Sequence, residues 1–492
     1  MKKAIIFLFL MAGVGAMANN LQINNVALTD NDPLSKTVMI RFDISWDNSW
    51  RDEINWDAAW VFAKFFDGEL PYHHCKLSLE GSLCGTGTPH ELIVPNDSLQ
   101  LEGMYYGVGA FIYRNALSDG TFAADSVKLK WNYSLNGFDT LPADIEVHVY
   151  GTEMVYIPEG PFAFGDGDGT SSSGWHLKDS PDYLYVGDYL APLMINSAGD
   201  EQVSITGIRV HGKDGLDWDG DGDIDNPNFP TGYKAFYMMK YETTQGQYTD
   251  FLNALTPNQI TGCNLFETTL QYRYSISLQD GKYGCARPDR ACNFFNGGRP
   301  ISYADWAGMR PMTALEFEKA VRGPINAVNS EYAWGNINSV SLNEIAGEEN
   351  GTEIPLTENA NYHGNINLTG GDGGDGPVRA GIFARENSAR ELSGSGYYGV
   401  MELSGNLAEI MIEMLSYSSS YLGSFRGFHC DHGDGEISNN GHANSFRYLL
   451  QNGFNPIFYI DNSSRFDCVS RYSQYGYLFC GARFVRNAPI LP

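Results

Sequence analysis

Apolar positions recur every second residue from Leu21 to about Val149. Val38, Ile40, Phe42, Ile44 and Trp46 alternate with Met39, Arg41, Asp43 and Ser45, and Val127, Leu129, Trp131 and Tyr133 repeat the pattern further on. Successive side chains of a strand point to opposite faces, so this period predicts strands with one buried face. Two more runs, Ala59 to Phe66 and Tyr105 to Tyr113, are rich in aromatic and β-branched residues. With turn residues between the runs, residues 19–150 are expected to form an all-β sandwich of immunoglobulin or fibronectin type III kind.

The pattern changes near Gly151, where a boundary is expected. Residues 151–492 are poor in long periodic segments and rich in Gly, Asn, Asp, Ser and Tyr. Two helices stand out. Thr244 with Gln247, and Thr313 with Glu316, have the spacing of capping boxes. Tyr248, Phe251, Leu252 and Leu255 follow the first on one face. Phe317, Ala320 and Val321 follow the second, and Gly323-Pro324 ends it. The stretch from Ile325 to Gly376 reads mostly as loop. So little regular structure calls for other staples, disulfides or bound calcium.

Residues 1–18 have the form of a secretory signal: Lys2 and Lys3, an apolar run from Ala4 to Val14, then Ala16-Met17-Ala18. The protein is therefore expected to be exported, whether periplasmic, at the cell surface or extracellular. No cysteine lies near the cleavage site, so a lipoprotein anchor is not expected, and no later segment is long enough to span a membrane. With 32 basic against 59 acidic residues the formal charge is −27. Such a surface repels nucleic acid, which is not expected as a partner. The eight cysteines are an even number, which in an exported chain permits disulfides. Cys75 and Cys84 are expected to close a local loop; the pairing of the other six stays open.

The sharpest local chemistry is Asp217-Trp-Asp219-Gly-Asp221-Gly222-Asp223-Ile224-Asp225. Oxygen ligands at positions 1, 3 and 5, a glycine at 6 and an acid at 9 match a calcium loop. Position 12 is Asn228 rather than a bidentate Glu, and Pro227 and Pro230 exclude helical flanks. The loop is expected to hold structural calcium within an insertion near 214–230. The Asp-Gly runs at Asp166 to Gly169 and Gly370 to Gly376 lack that spacing and read as turns.

Five motifs follow one another in the second region: MVYIPEGPFAFGDG from Met154, FYMMKYETTQGQYTDFLNAL from Phe236, RPMTALEFEKAVRG from Arg310, YYGVMELSGNLAEI from Tyr397 and GARFVR from Gly481. In this order they resemble the sulfatase-modifying-factor, or formylglycine-generating-enzyme, family. The resemblance implies a loop-rich α+β domain with a C-type-lectin-like fold, often with structural calcium. It also implies an enzyme that oxidises a cysteine of target sulfatases with a cysteine pair and copper. Against Cys468-Val-Ser-Arg471, which resembles the segment following that pair, the two cysteine positions hold Phe458 and Ser463. Neither supplies a thiolate. The family's calcium-site element survives as Asn406-Leu407-Ala408-Glu409, which makes Asn406 and Glu409 calcium candidates against simple turn hydrogen bonding.

A related branch uses non-haem iron on a His-x-x-x-His-x-Glu helix, and none of the ten histidines offers that spacing. One loop concentrates transition-metal ligands around His429, Cys430, His432 and Glu436, and the competing reading is a polar surface loop. Structural calcium is expected as cofactor; copper and iron are not. Three functions compete. The first is an exported non-catalytic recognition or surface-structural protein with a protein or glycan ligand at the cell surface. The second is a metal-dependent oxidase of the formylglycine-generating class with a non-standard site at His429, His432 and Glu436. The third is a calcium-dependent carbohydrate-binding module. The Asp217–Asp225 loop is directly testable: Asp221→Ala should lose a calcium equivalent in native mass spectrometry, whereas unchanged calcium content would place any bound ion elsewhere.

Overall fold

Strands β1 (Gln22–Asp32), β2 (Thr37–Arg51), β3 (Asp57–Phe66), β4 (Ala110–Arg114) and β5 (Ser118–Asn132) build the N-terminal region in two antiparallel sheets. The computed structural model describes residues 20–164, 185–186, 193–195, 208–209, 229–262, 264–295, 299–326, 328, 331–364, 367–385, 388–412, 457–459 and 476–489. In the first sheet β2 lies between β1 and β5, and Phe42, Ile40 and Val38 face Val127, Leu129 and Trp131 across the ladder. All six are buried, while Met39, Arg41, Asp43 and Ser45 are half-buried, as the period-two pattern requires.

In the second sheet β3 is buried on both faces, and this is why it lacks a polar alternation. Ala59, Val61, Ala63 and Phe65 pack against the first sheet, whereas Ala58, Trp60 and Phe62 pack into a second core with residues of the C-terminal region. The run from Tyr105 to Tyr113 is two strands rather than one. Met104–Gly107 pairs in the first sheet and β4 in the second. Gly109 makes the crossing possible, because a Cβ there would lie 2.5 Å from the Trp60 ring.

β6 (Glu146–Ile157) runs through Gly151 without a break. One edge pairs with β3, Gly151 facing Val61, and its end pairs with β7 (Phe236–Met239), Met154 facing Met239. Two strands outside this ladder, β8 (Ala408–Ile412) and β9 (Ile457–Tyr459), pair with each other. β10 (Phe484–Asn487) continues the large sheet beside β7 and Arg310–Pro311. Among the described residues that sheet has eight strands, four contributed before Gly151, three after it and β6 across it.

Side chains lock the same junction. The Trp60 indole N–H donates to the Ala307 carbonyl at 2.9 Å, and the Arg486 guanidinium lies 3.8 Å above the Trp60 ring while pairing with Asp97. Asn55 donates to the Tyr398 carbonyl at 2.6 Å. Both expected helices are present, α1 (Gln245–Asn253) and, further along, α3 (Ala314–Arg322), each with a complete capping box. Between them lies α2 (Arg299–Trp306), every residue of which is buried, the polar Arg299, Ser302 and Asp305 included.

The expected Cys75–Cys84 bridge is absent: both are free thiols. Cys75 points into the core between the sheets, while the exposed Cys84 donates its thiol to the His90 carbonyl at 3.4 Å. No helix among the described residues is long and apolar enough to cross a membrane. Trp60 joins the second core to the Ala307 and Arg486 contacts, so Trp60→Ala should cost about 3–5 kcal/mol in urea unfolding. Leu34→Ala, at a side chain 97% exposed, should stay within about 0.5 kcal/mol.

Candidate functional site: a buried acidic junction of three motifs

β7 is followed by Lys240-Tyr241-Glu242, which carries two charged side chains into the interior. Glu242 accepts from the Leu407 N–H at 2.9 Å and from the Asn406 side-chain amide. Asn406 sits in the left-handed region at φ 60°, a conformation Asn tolerates better than most residues, and this turns its side chain inward. Its Oδ1 accepts from the Val378 N–H at 2.9 Å. Three residues on, at the start of β8, the Glu409 carboxylate accepts from Arg483 Nε at 2.6 Å, both side chains being fully buried. Glu402 accepts from the Gly381 N–H at 2.9 Å. Motifs far apart in sequence thus meet in one box of three carboxylates and one guanidinium.

Burial pushes all three carboxyls up. Glu402 reaches about 7, Glu242 is pushed well up by burial and by its Glu409 and Glu402 neighbours, and burial raises Glu409 too, each against the pull of Arg483. One oxygen each of Glu402 and Glu409 is buried with no hydrogen-bond partner. The box therefore favours a held proton over three free carboxylates. Thiol chemistry is not available from Cys75 or Cys292, whose thiols burial pushes well up.

A second buried ion group lies alongside. Lys240 donates to Glu153 at 3.0 Å and to Asp57 at 3.3 Å, and its ammonium is 4.9 Å from the Trp50 ring. Burial pushes Glu153 up to about 7 against the pull of Lys240. Lys240 itself is raised: burial acts to lower it, but Glu153, Tyr241 and Asp57 prevail. The neighbouring Asp57 adds to both shifts, raising Glu153 and Lys240 alike.

Asn406 bonds to the Val378 N–H and to the Glu242 carboxylate, both distant in sequence, and Glu409 is an arginine partner with a spare oxygen. Among the described residues no three His, Cys, Asp or Glu side chains are arranged to hold a metal ion. Asp217, Asp219, Asp221, Asp223 and Asp225 lie outside the described residues, as do His429, His432, Glu436 and Ser463. Phe458 lies in β9, opposite Met411 of β8. The sequence reading missed Glu242, Glu402 and Arg483. The available signal was a charged residue beside apolar ones inside a motif, as in Met238-Met239-Lys240-Tyr241-Glu242.

Over residues 194–443 the sequence matches the family described as sulfatase-modifying factor enzyme 1-like domain. The chain belongs to that family. The mostly β architecture with few helices agrees with the resemblance carried by the motifs, and Glu242, Glu402, Asn406 and Glu409 all fall within the matched range. No curated protein matches the chain.

The Lys240 group generates a pH prediction. Unfolded, Glu153 loses its proton near pH 4.5; folded, it keeps it to about 7. Between those values the native state holds more protons than the unfolded chain, so stability falls as pH rises. Glu153→Gln should flatten that fall, which is on the order of 2–3 kcal/mol, in urea unfolding compared at pH 5 and pH 8. An unchanged slope would place the proton elsewhere.

Proposed function

We propose that the protein is an exported, non-catalytic recognition or surface-structural protein built on the sulfatase-modifying-factor scaffold. The observation that carries this reading is Phe458 and Ser463 at the two positions where the family's oxidation chemistry uses cysteines. A phenyl ring cannot bind copper, and a hydroxyl is a poor substitute for a thiolate. The motifs remain because their charged residues hold the interior: Arg310 on Glu316, Arg322 on Glu318 and Glu331, Arg483 on Glu409. In this reading calcium is structural, at the Asp217–Asp225 loop and at Asn406 and Glu409. The N-terminal sandwich-like region is a spacer or docking module in the same reading. The stretches rich in Tyr, Ser and Asn, such as Tyr417 to Tyr421 and Asn439 to Asn444, have the composition of adaptable binding surfaces and supply the ligand contacts in this reading.

Family membership itself supports the second reading, an oxidase that uses His429, His432 and Glu436. The two are separated by incubating the copper-loaded protein with a cysteine peptide of sulfatase sequence and following aldehyde by mass spectrometry. The expected result is no aldehyde above the protein-free control. Aldehyde formation that disappears in His429→Ala or His432→Ala would establish the oxidase instead.

A further inference from the structure

Lys240, Asp57 and Glu153 come together where the two regions join. The Lys240 N–H donates to the Glu153 carbonyl at 2.9 Å, which extends the β6–β7 ladder, and Asp57 faces Val155 in the β3–β6 ladder. Positions two apart on a strand share a face, so the three side chains lie on the same side of the sheet. Lys240 Nζ is 3.0 Å from Glu153 Oε2 and 3.3 Å from Asp57 Oδ2. Both carboxyl groups are fully buried, and the Trp50 and Tyr241 rings flank the amine at 4.9 and 5.4 Å.

The two acids are held differently. Asp57 Oδ1 accepts from the Ser49 hydroxyl at 2.9 Å and from the Trp50 N–H at 3.0 Å, and Oδ2 accepts from the Trp46 indole at 2.9 Å. Two donors fixed on one carboxyl oxygen are what an oxyanion needs when a nucleophile adds to the carboxyl carbon. Glu153 has no such cradle, for its Oε1 is buried with no hydrogen-bond partner. Its Oε2 touches the amine instead, and its carboxyl, pushed up by burial to about 7, exchanges a proton near neutral pH.

We propose that Lys240 and Asp57 become joined by an amide bond formed within the folded chain, with Glu153 relaying protons. Nζ adds to Asp57 Cγ, and Oδ1 carries the developing charge between Ser49 and Trp50. The Nζ–Cγ bond forms and the Cγ–Oδ2 bond breaks. Two Nζ protons pass through Glu153 to Oδ2, which departs as water, so no oxidant or co-reactant is needed. An ammonium and a carboxylate become one neutral amide, which removes two charges from the interior. The fixed contact raises the effective concentration of the pair, and the ring-lined surroundings oppose the return of water. Lys240 stays mostly protonated, so the reaction is slow, which suffices for a bond made once per molecule. The one N–H left on Nζ has the Asn48 carbonyl, 3.3 Å from Nζ, as acceptor. The bond ties β3 to the segment after β7 and rests on neither of the functions above.

Intact-mass spectrometry of the purified, denatured full chain tests this. The mass should fall one water short of that of the sequence, the N-terminus being read from a digest of the same sample. That digest should contain a branched peptide joining the Asp57 and Lys240 segments. Lys240→Ala and Asp57→Ala should each restore the missing water, whether or not they fold well. Glu153→Gln, which keeps the side-chain shape but relays no proton, should form the bond about a hundredfold more slowly. Unsubstituted protein at full mass would overturn the proposal without recourse to variants. A branch at Glu153 instead of Asp57, or bond formation at the original rate in Glu153→Gln, would overturn it as well.

Discussion

The rest of the molecule depends on β6 having partners on both of its edges. Along one edge it pairs with β3, and near its end it pairs with β7, so a single ladder continues from the N-terminal region into the C-terminal one. Its side chains are divided among three cores. Val147 and Val149 pack against the core between the two N-terminal sheets, Met154 joins the core under α1 and α2, and Val155 and Ile157 join the core under α3. Each backbone hydrogen bond contributes only about 0.5–1.5 kcal/mol net. Removing this strand would nevertheless open all three cores at once.

Charge is handled inside the protein in an unusual amount for its size. Arg310, Arg322, Arg483 and Arg486 are all fully buried, and each belongs to one of the five motifs. A buried ion pair is weak evidence of net stability, but removing one partner commonly costs about 3–5 kcal/mol because the other charge is left stranded. Such residues resist replacement whether or not the protein catalyses anything. A motif set can therefore persist as a scaffold while reacting residues are exchanged, and fold alone does not fix function.

What could be read from the sequence was local. The period-two runs of β2 and β5 and both capping boxes required only neighbouring residues, and each is present as expected. What could not be read was long-range. The Tyr105–Tyr113 run breaks because Gly109 must pass the Trp60 ring, a residue far away in sequence. The helix α2 is buried all round, and nothing local shows that its polar Arg299, Ser302 and Asp305 are covered as well. Cys75 and Cys84 are close in sequence, but the core claims the first while the second faces outward. Of the acidic box, Asn406 and Glu409 were legible through the family resemblance, whereas Glu242 and Arg483 reach them only through the pairing of the large sheet.

The most direct test of this account is native-state hydrogen exchange on the full chain, resolved to the amides of β3, β6 and β7. If one strand ties the regions together, amides from Ala58 to Lys64, Thr152 to Ile157 and Tyr237 to Met239 should share one opening free energy and lose protection together as denaturant rises. A separate, lower-energy opening that releases β7 while β3 stays protected would contradict the claim that the two regions form one continuous body.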